Sequence, residues 1–253
     1  MTLLSIENIS KRFGQNEVLK ELDLQVNEGE FVSILGPSGS GKSTIFHLIG
    51  GLLSPDKGAI RLHGKNINGK RGSISYMPQT PSLLPWRTIL QNVMLGQEIQ
   101  GKTDKEVAKE MIEKAGLGEY IHAFPHELSG GMKQRTAFIR ALLSPQRVIL
   151  LDEPFSALDE LTRLDMQKWL LDIWGIHQKT ILFVTHSVEE ALFLSDRVLV
   201  LSHKPAHVAF QFTVPFPKPR NENLLLDNQF LECKRTIHSR LKGDMSSSSL
   251  PVL

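Results

Sequence analysis

Eight consecutive residues constrain the fold of this chain more than any other feature, because they spell G-x-x-x-x-G-K-[ST]: Gly36, Pro37, Ser38, Gly39, Ser40, Gly41, Lys42 and Ser43. The apolar run Phe31–Leu35 before them predicts a short buried strand, and Thr44–Ile49 after them predicts the start of a helix. In a strand–loop–helix context, the loop N–H groups and the positive helix end favour a phosphate. A glycine-rich turn capped by serine is the alternative, and the flanking elements make it the weaker one.

Two side chains of this loop predict the chemistry of its ligand. The Lys42 ammonium can reach the outer phosphates of a nucleoside triphosphate, and the Ser43 hydroxyl can join the ligands of a Mg²⁺ ion. We therefore predict that the chain binds a nucleoside triphosphate together with Mg²⁺.

Composition excludes several other classes of protein. The 253 residues include 29 Lys and Arg against 27 Asp and Glu, so no basic field predicts nucleic acid as a partner. The single cysteine, Cys233, excludes internal disulfides and cysteine-cluster metal sites. The N-terminus does not resemble a secretory signal, and no run approaches the ~20 apolar residues of a membrane helix. If the protein acts at a membrane, we expect another chain to span it.

The order of the elements predicts an α/β fold. Residues 2–35 predict an antiparallel strand set that leads into the loop strand, and residues from about 82 to 143 have a helical pattern. Strands that alternate with helices favour a mostly parallel sheet. Three further buried strands are predicted at Arg147–Asp152, Lys179–His186 and Arg197–Leu201.

The C-terminal tail breaks this pattern after Pro215. Leu224–Leu241 is predicted to be helical and to end near Lys242 and Gly243, and Ser246–Ser249 is predicted to be disordered. We interpret the tail as packing or disorder, because it is too short for an added regulatory domain.

Two carboxylates, Asp152 and Glu153, follow a buried strand at its carboxyl end, where ligand sites of open α/β sheets lie. Asp152 would hold Mg²⁺ through water, and Glu153 would lie beside the γ-phosphate as a general base for an attacking water. Considered alone, the pair fits an acidic helix start equally well. The phosphate loop upstream favours the functional interpretation.

Leu128–Gln134 is the second informative segment. Ser129, followed by Gly130 and Gly131, can open a helix with exposed N–H groups, which is another anion-binding end. A plain helix N-cap is the commoner meaning of this pattern when it stands alone.

Taken in order, these motifs resemble those of the nucleotide-binding subunit of an ABC transporter. The resemblance covers about residues 3 to 205, and six ordered motifs are highly specific. They are the phosphate loop, the glutamine loop Tyr76–Gln79, the Leu128–Gln134 signature, the Asp152-Glu153 pair, Ser156-Ala157-Leu158-Asp159 and the Thr185-His186 switch. The resemblance implies a P-loop NTPase (RecA-like) core with an antiparallel β subdomain and an inserted α-helical subdomain at about 82–143. The nucleotide-binding domain would span 1–215, followed by a tail at 216–253.

The resemblance also implies a head-to-tail dimer that holds ATP between the phosphate loop of one copy and the signature of the other. Asp159 would support His186 across that dimer, although a histidine at a strand end is more often structural. Phe13 matches the residue that stacks on adenine, or is an ordinary apolar residue at a strand end. The implied catalytic residues are Lys42, Gln79, Glu153 and His186; the nucleotide ligands are Phe13, Gly36 to Thr44, Ser129, Gly130 and Gly131; the metal ligands are Ser43, Gln79 and Asp152.

Within this family the chain resembles the importer branch that serves nitrate, sulfonates, taurine and some thiamine-precursor pyrimidines. The matching segments are Leu84–Val93, Gly131–Arg135, Glu153–Asp159 and Ser187–Leu192. This implies a peripheral ATPase on the cytoplasmic face of the membrane, which energises a separate permease and depends indirectly on an extracellular or periplasmic solute-binding protein. Pro81–Ile89 would form the apolar rim that grasps the permease, or would pack the insertion onto the core. The alternative is a soluble, non-transport ABC ATPase in a macromolecular complex, although no basic arm or second cassette is present.

Overall fold

Two β-sheets and seven α-helices form the part of the chain that the computed structural model describes, residues 1–156 and 158–246. The strands are β1 (Thr2–Phe13), β2 (Asn16–Asn27), β3 (Phe31–Leu35), β4 (Lys57–Leu62), β5 (Lys65–Asn66), β6 (Ser75–Met77), β7 (Val148–Asp152), β8 (Thr180–Val184), β9 (Arg197–Leu201) and β10 (Val208–Thr213). The helices are α1 (Lys42–Ile49), α2 (Ile89–Ile99), α3 (Lys105–Lys114), α4 (Gly130–Leu143), α5 (Glu160–His177), α6 (Val188–Leu194) and α7 (Asn228–Ser246). Short 3₁₀ turns lie at Gly118–Tyr120, Pro125–Glu127 and Glu222–Leu226.

The larger sheet has the strand order β10-β9-β3-β8-β7-β6. The four pairings from β9 to β6 are all parallel, and β10 joins the edge in antiparallel orientation. Every residue of β3, β7 and β8 is buried, as expected for strands covered on both faces. The predicted mostly parallel sheet is therefore confirmed. The carboxyl ends of β3, β7, β8 and β9 consequently meet along one edge.

The smaller sheet is antiparallel and has the order β2-β1-β4-β5. Its two long strands confirm the antiparallel set predicted at the N-terminus, although β3 belongs to the larger sheet. Backbone hydrogen bonds tie the two sheets together, from Ala206 N–H to the Val18 carbonyl (2.9 Å) and from Lys20 N–H to the Ala206 carbonyl (3.2 Å). This link holds β2 close to the loop that follows β3.

Helices α2, α3 and α4 follow β6 and share one hydrophobic cluster with the larger sheet. The predicted helical pattern began near residue 82, but the first helix begins only at Ile89. Prolines at 81 and 85 disfavour an earlier start, and Thr88 caps α2 by accepting from Gln91 N–H at 3.3 Å. Asn92 is buried and holds the non-helical segment through its bond to Leu84 N–H (2.8 Å).

The C-terminal tail packs against the larger sheet. Its helix runs over 228–246, not over 224–241 as predicted, because the Asp227 carboxylate accepts from Gln229 N–H (2.7 Å) and so begins the helix later. The helix also continues past Gly243. Phe230, Cys233 and Ile237 form its buried face, against α6, β9 and β10. Of the segment predicted to be disordered, residues 247–249 lie outside the described residues.

Throughout the described ranges, no helix combines the length and the apolar character that crossing a bilayer requires.

Candidate active site

The phosphate loop connects β3 to α1 along a path that needs glycine. Gly41, immediately before α1, has φ +103°, a conformation that other residues rarely adopt. A Cβ atom at this position would lie 2.9 Å from Val18 Cγ1, which is too close. The link between the two sheets therefore presses β2 against the loop, and only glycine allows this approach.

Lys42 is the cation at the centre of the loop. Its side chain is only 6% exposed, and its Nζ donates to the carbonyl oxygens of Gly36 (2.8 Å) and Pro37 (2.9 Å). Burial lowers the pKa of Lys42, and the carboxylates of Glu153 and Asp152 oppose this shift. A buried cation near the first, unpaired N–H groups of a helix is an arrangement that suits an anion.

A cavity of 290 Å³ opens above the loop and contains most of the predicted phosphate ligands. Its lining residues are Val18, Ser38, Gly39, Gly41, Lys42, Ser43, Thr44, Glu153, His186 and Lys204. The hydroxyl oxygen of Ser40, in the same loop, is buried and has no hydrogen-bond partner among the residues that the structure describes. A cation, helix N–H groups and hydroxyl donors together fit a polyphosphate chain.

The residues expected to hold Mg²⁺ lie beside this cavity. Asp152 is buried at the end of β7, and burial raises the pKa of its carboxyl group, against the effect of the nearby Ser43 hydroxyl. The Tyr76 hydroxyl lies 3.4 Å from Asp152 Oδ2. A carboxylate and a hydroxyl are the oxygen ligands that Mg²⁺ prefers, so the donor set fits the ion.

Glu153 stands at the centre of the catalytic candidates. Its Oε1 lies 2.5 Å from His186 Nε2, and its Oε2 accepts from the Gln79 amide at 2.9 Å. Its backbone has φ +48°, which is strained for a residue with a side chain, and a bond from Glu153 N–H to the Val184 carbonyl (2.9 Å) holds it there. Backbone strain of this kind is concentrated at functional sites.

The remaining predicted ligands lie outside this cavity. Ser129 caps α4 by accepting from Met132 N–H (3.3 Å), as predicted, but Ser129, Gly130 and Gly131 are not among the residues that line the cavity. Phe13 is 48% exposed at the end of β1, and it does not line the cavity either. One chain thus brings together Lys42, Ser43, Gln79, Asp152, Glu153 and His186, but neither the signature nor Phe13.

Sequence reasoning missed two residues of the cavity wall, Val18 and Lys204. Lys204 follows the carboxyl end of β9, so the strand-end rule that found Asp152 could have found it too. Val18 lies in the antiparallel sheet, and no local pattern signals that the link to Ala206 brings it against Gly41.

Comparison with known proteins agrees with this geometry. The ABC transporter family model matches residues 19–156, more than half of the chain. The formylaminopyrimidine import ATP-binding protein ThiZ of Halalkalibacterium halodurans is 46% identical over 84% of this chain and 85% of that protein. The nitrate import ATP-binding protein NrtD of Synechocystis is 40% identical over 93% of this chain and 91% of that protein.

A solved structure shares the fold. A dimeric ATP-binding cassette in a post-hydrolysis state, bound to ADP and Pi, has a TM-score of 0.75 and 29% identity to this chain, and covers 85% of this chain and 100% of that one. The predicted P-loop NTPase fold is confirmed. This chain belongs to the ABC transporter family, as a cassette that binds and hydrolyses ATP.

Proposed function

We propose that this chain energises a membrane permease for the import of a small solute. The observation that carries the proposal is the similarity to two import proteins: ThiZ matches 84% of the chain at 46% identity, and NrtD matches 93% at 40% identity. Their names give two candidate solute classes for this chain, a formylaminopyrimidine and an inorganic oxyanion such as nitrate. The cassette acts on ATP alone, so the solute would be chosen by the permease and by a solute-binding protein outside the membrane.

We assign the hydrolytic step to Glu153. Its carboxylate can accept the proton of a water that attacks the γ-phosphorus, as a general base. His186 and Gln79 hold the two carboxylate oxygens at 2.5 Å and 2.9 Å, and this fixes the direction in which the base points. Lys42 and the loop N–H groups bind the phosphates, and Asp152 with Ser43 would hold Mg²⁺, which neutralises phosphate charge when bound.

We propose that the site is completed by a second copy, packed head to tail. Ser129, Gly130 and Gly131 begin a helix whose first N–H groups can bind an anion, yet they line no part of the cavity in their own chain. Gly131 lies against Leu158, where an added Cβ would come within 3.0 Å of Leu158 Cδ2. The signature therefore packs beside Leu158, and in the proposed dimer both would face the partner's phosphates.

His186→Ala is expected to lower kcat for ATP about 100-fold while changing the Kd for ATP less than about threefold, because the imidazole contacts the base and not the phosphate loop. Steady-state phosphate release and equilibrium binding of a fluorescent ATP analogue measure the two quantities. Equal losses in binding and turnover would show instead that the histidine supports the fold.

Phe13→Ala is expected to raise the KM for ATP about 5- to 150-fold with little change in kcat, because base stacking contributes about 1–3 kcal/mol of uniform binding. The same comparison with GTP provides a check, since stacking tolerates any base. An unchanged KM would mean that the half-exposed ring at the end of β1 does not contact the nucleotide.

We place the permease contact at Pro81–Ile89, beside the Gln79 loop. Arg140 holds this segment by donating to the carbonyl oxygens of Pro81 (2.8 Å) and Ser82 (2.9 Å). Leu83 packs onto the core, whereas Trp86 is 70% exposed. A large exposed aromatic residue on a braced loop is typical of the centre of a protein interface. This surface supports a peripheral position on the cytoplasmic face of the membrane.

The proposal is tested by affinity capture from membranes of the native host, with the Glu153→Gln protein and Mg²⁺-ATP. The expected result is recovery of a polytopic permease. Solute-binding assays on the binding protein associated with that permease would then identify the solute. Trp86→Glu in the same background is the matched control, and it should lose the permease but keep ATP-dependent dimerisation. Recovery of soluble partners only, with dimerisation intact, would favour a non-transport ABC ATPase.

A further inference from the structure

The loop that carries His186 is anchored by its neighbours, not by the phosphate loop. Thr185 Oγ1 accepts from Ser187 N–H (3.0 Å), and its own hydroxyl donates to Glu190 Oε2 (2.5 Å). The Ser187 hydroxyl oxygen in turn accepts from Glu190 N–H (3.2 Å). Glu190 thus binds both residues that flank His186, once through its side chain and once through its backbone.

Glu190 is a buried acid with no assigned role in hydrolysis. It is 9% exposed, and burial raises the pKa of its carboxyl group, against the effects of the Thr185 hydroxyl and the Arg163 guanidinium. A buried carboxylate is costly unless it is paired or hydrogen-bonded. The adjacent Glu189 lies half-exposed at the surface of α6, whereas Glu190 is turned inward. The contacts that Glu190 makes must therefore compensate for its burial.

The second contact of Glu190 reaches another part of the site. Arg163 Nε, on α5, lies 3.8 Å from Glu190 Oε1, and Arg163 Nη2 donates to the Leu158 carbonyl oxygen at 2.8 Å. Leu158 belongs to the segment that ends at Asp159, the N-cap of α5. Glu190 therefore connects the His186 loop to the segment that we expect to face the partner subunit.

These contacts surround a small cavity of 150 Å³ next to the hydrolytic site. Its lining includes Glu153, His186, Thr185, Arg163 and Glu190. Glu153, His186 and Glu190 thus line the same cavity, whereas no residue of the phosphate loop lines it. A shift of Glu190 would reach His186 and Glu153 first and the phosphate loop last.

We propose that Glu190 is a positioning residue for ATP hydrolysis, which fixes the Thr185–Ser187 loop so that His186 meets Glu153 and couples that loop to Arg163 on α5. The inference rests on the roles proposed above for His186 and Glu153. Because displacement of about 1 Å from the productive geometry can cost 100-fold in rate, the effect should appear in kcat. The KM for ATP should remain near its normal value.

The test compares Glu190→Ala, Thr185→Val and their double variant, with Glu189→Gln as the matched control on the same helix. Glu189 pairs with Lys234 at 2.6 Å and takes no part in the His186 loop. We expect Glu190→Ala and Thr185→Val each to lower kcat about 10- to 100-fold with KM within about twofold, because misplacement acts on the transition state alone. The double variant should lose no more than the worse single variant, since the two residues act as one unit. Glu189→Gln should retain normal kcat.

A kcat for both single variants within twofold of the Glu189→Gln value would overturn the inference, and so would losses that multiply in the double variant. If Glu190→Ala does not fold, the result with Thr185→Val decides, because valine is nearly the same size as threonine and replaces only the hydroxyl by a methyl group. The His186→Ala protein distinguishes a failure of the proposed role of His186 from a failure of the positioning role of Glu190. A normal kcat in His186→Ala would overturn the proposed role of His186 itself, whereas a low kcat there, with normal Glu190 and Thr185 variants, would overturn only the positioning role.

Discussion

Glu153→Gln is expected to lower ATP turnover about 1,000-fold and to leave an ATP-bound dimer that persists in solution. A general base contributes about 10²- to 10⁴-fold, and glutamine cannot accept the proton of the attacking water. The substitution keeps the size of the side chain, so the contacts to Gln79 and His186 can be kept in part. It also removes one negative charge beside the phosphates, and this favours retention of ATP between the two subunits.

Two measurements check this result: steady-state phosphate release, and the molar mass of the protein in Mg²⁺-ATP by light scattering after gel filtration. Glu119→Gln provides the control, because Glu119 is an exposed glutamate of the helical insertion and the same charge is removed. It should hydrolyse ATP normally and return to a monomer as ATP is consumed. Normal turnover in Glu153→Gln would remove the residue from the base role.

Arg220→Met is expected to lower the free energy of unfolding by roughly 3 kcal/mol or more, because several buried carbonyl oxygens lose their hydrogen-bond donor. Arg220 is 8% exposed, and its guanidinium donates to the carbonyl oxygens of Leu192 (2.8 Å), Phe193 (3.0 Å), Ser195 (2.9 Å) and Phe216 (2.7 Å). Burial lowers its pKa to about 10, so it stays charged at neutral pH. Methionine fills similar space but leaves these carbonyl oxygens without their donor, at a cost of about 1–3 kcal/mol for a buried unpaired group.

Urea denaturation followed by circular dichroism measures this loss. Arg235→Met is the control, since Arg235 lies exposed on α7 and its replacement should change stability by about 0.5 kcal/mol or less. Similar losses in the two variants would mean that the guanidinium bonds at the end of α6 contribute little. The prediction also concerns function, because α6 begins at Val188, two residues after His186, and carries Glu190.

The parts of the site that sequence could predict are those encoded within a few residues. The spacing of Gly36, Gly41 and Lys42 between an apolar strand and a helix is sufficient to predict the loop, since backbone conformation and helix start are local properties. The Asp152-Glu153 pair was predictable because the carboxyl ends of parallel strands meet at one edge. The structure places Gly41, Lys42 and Glu153 around one cavity, with Asp152 at the end of β7 beside it.

Element boundaries were harder to predict. The insertion begins its first helix at Ile89, and not near residue 82, because Thr88 caps it. The tail helix begins at Asn228 because Asp227 caps it, and it continues past Gly243, with Phe230 and Ile237 on its buried face. Several residues near each boundary could have served as caps, and tertiary packing chose one of them.

The sequence by itself determined the chemistry: which strand ends carry a phosphate loop, a carboxylate pair and a histidine, because each depends on neighbours along the chain. Only the tertiary structure decided how these groups are held. Val18 reaches Gly41 through the link between the sheets, Arg220 of the tail donates to the end of α6, and Glu190 joins the His186 loop to Arg163. These contacts join segments that lie far apart in the chain. They also turn the side chain of Glu190 inward, while that of Glu189 stays at the surface. Burial and hydrogen-bond satisfaction of the whole fold decide such choices, and no local pattern encodes them.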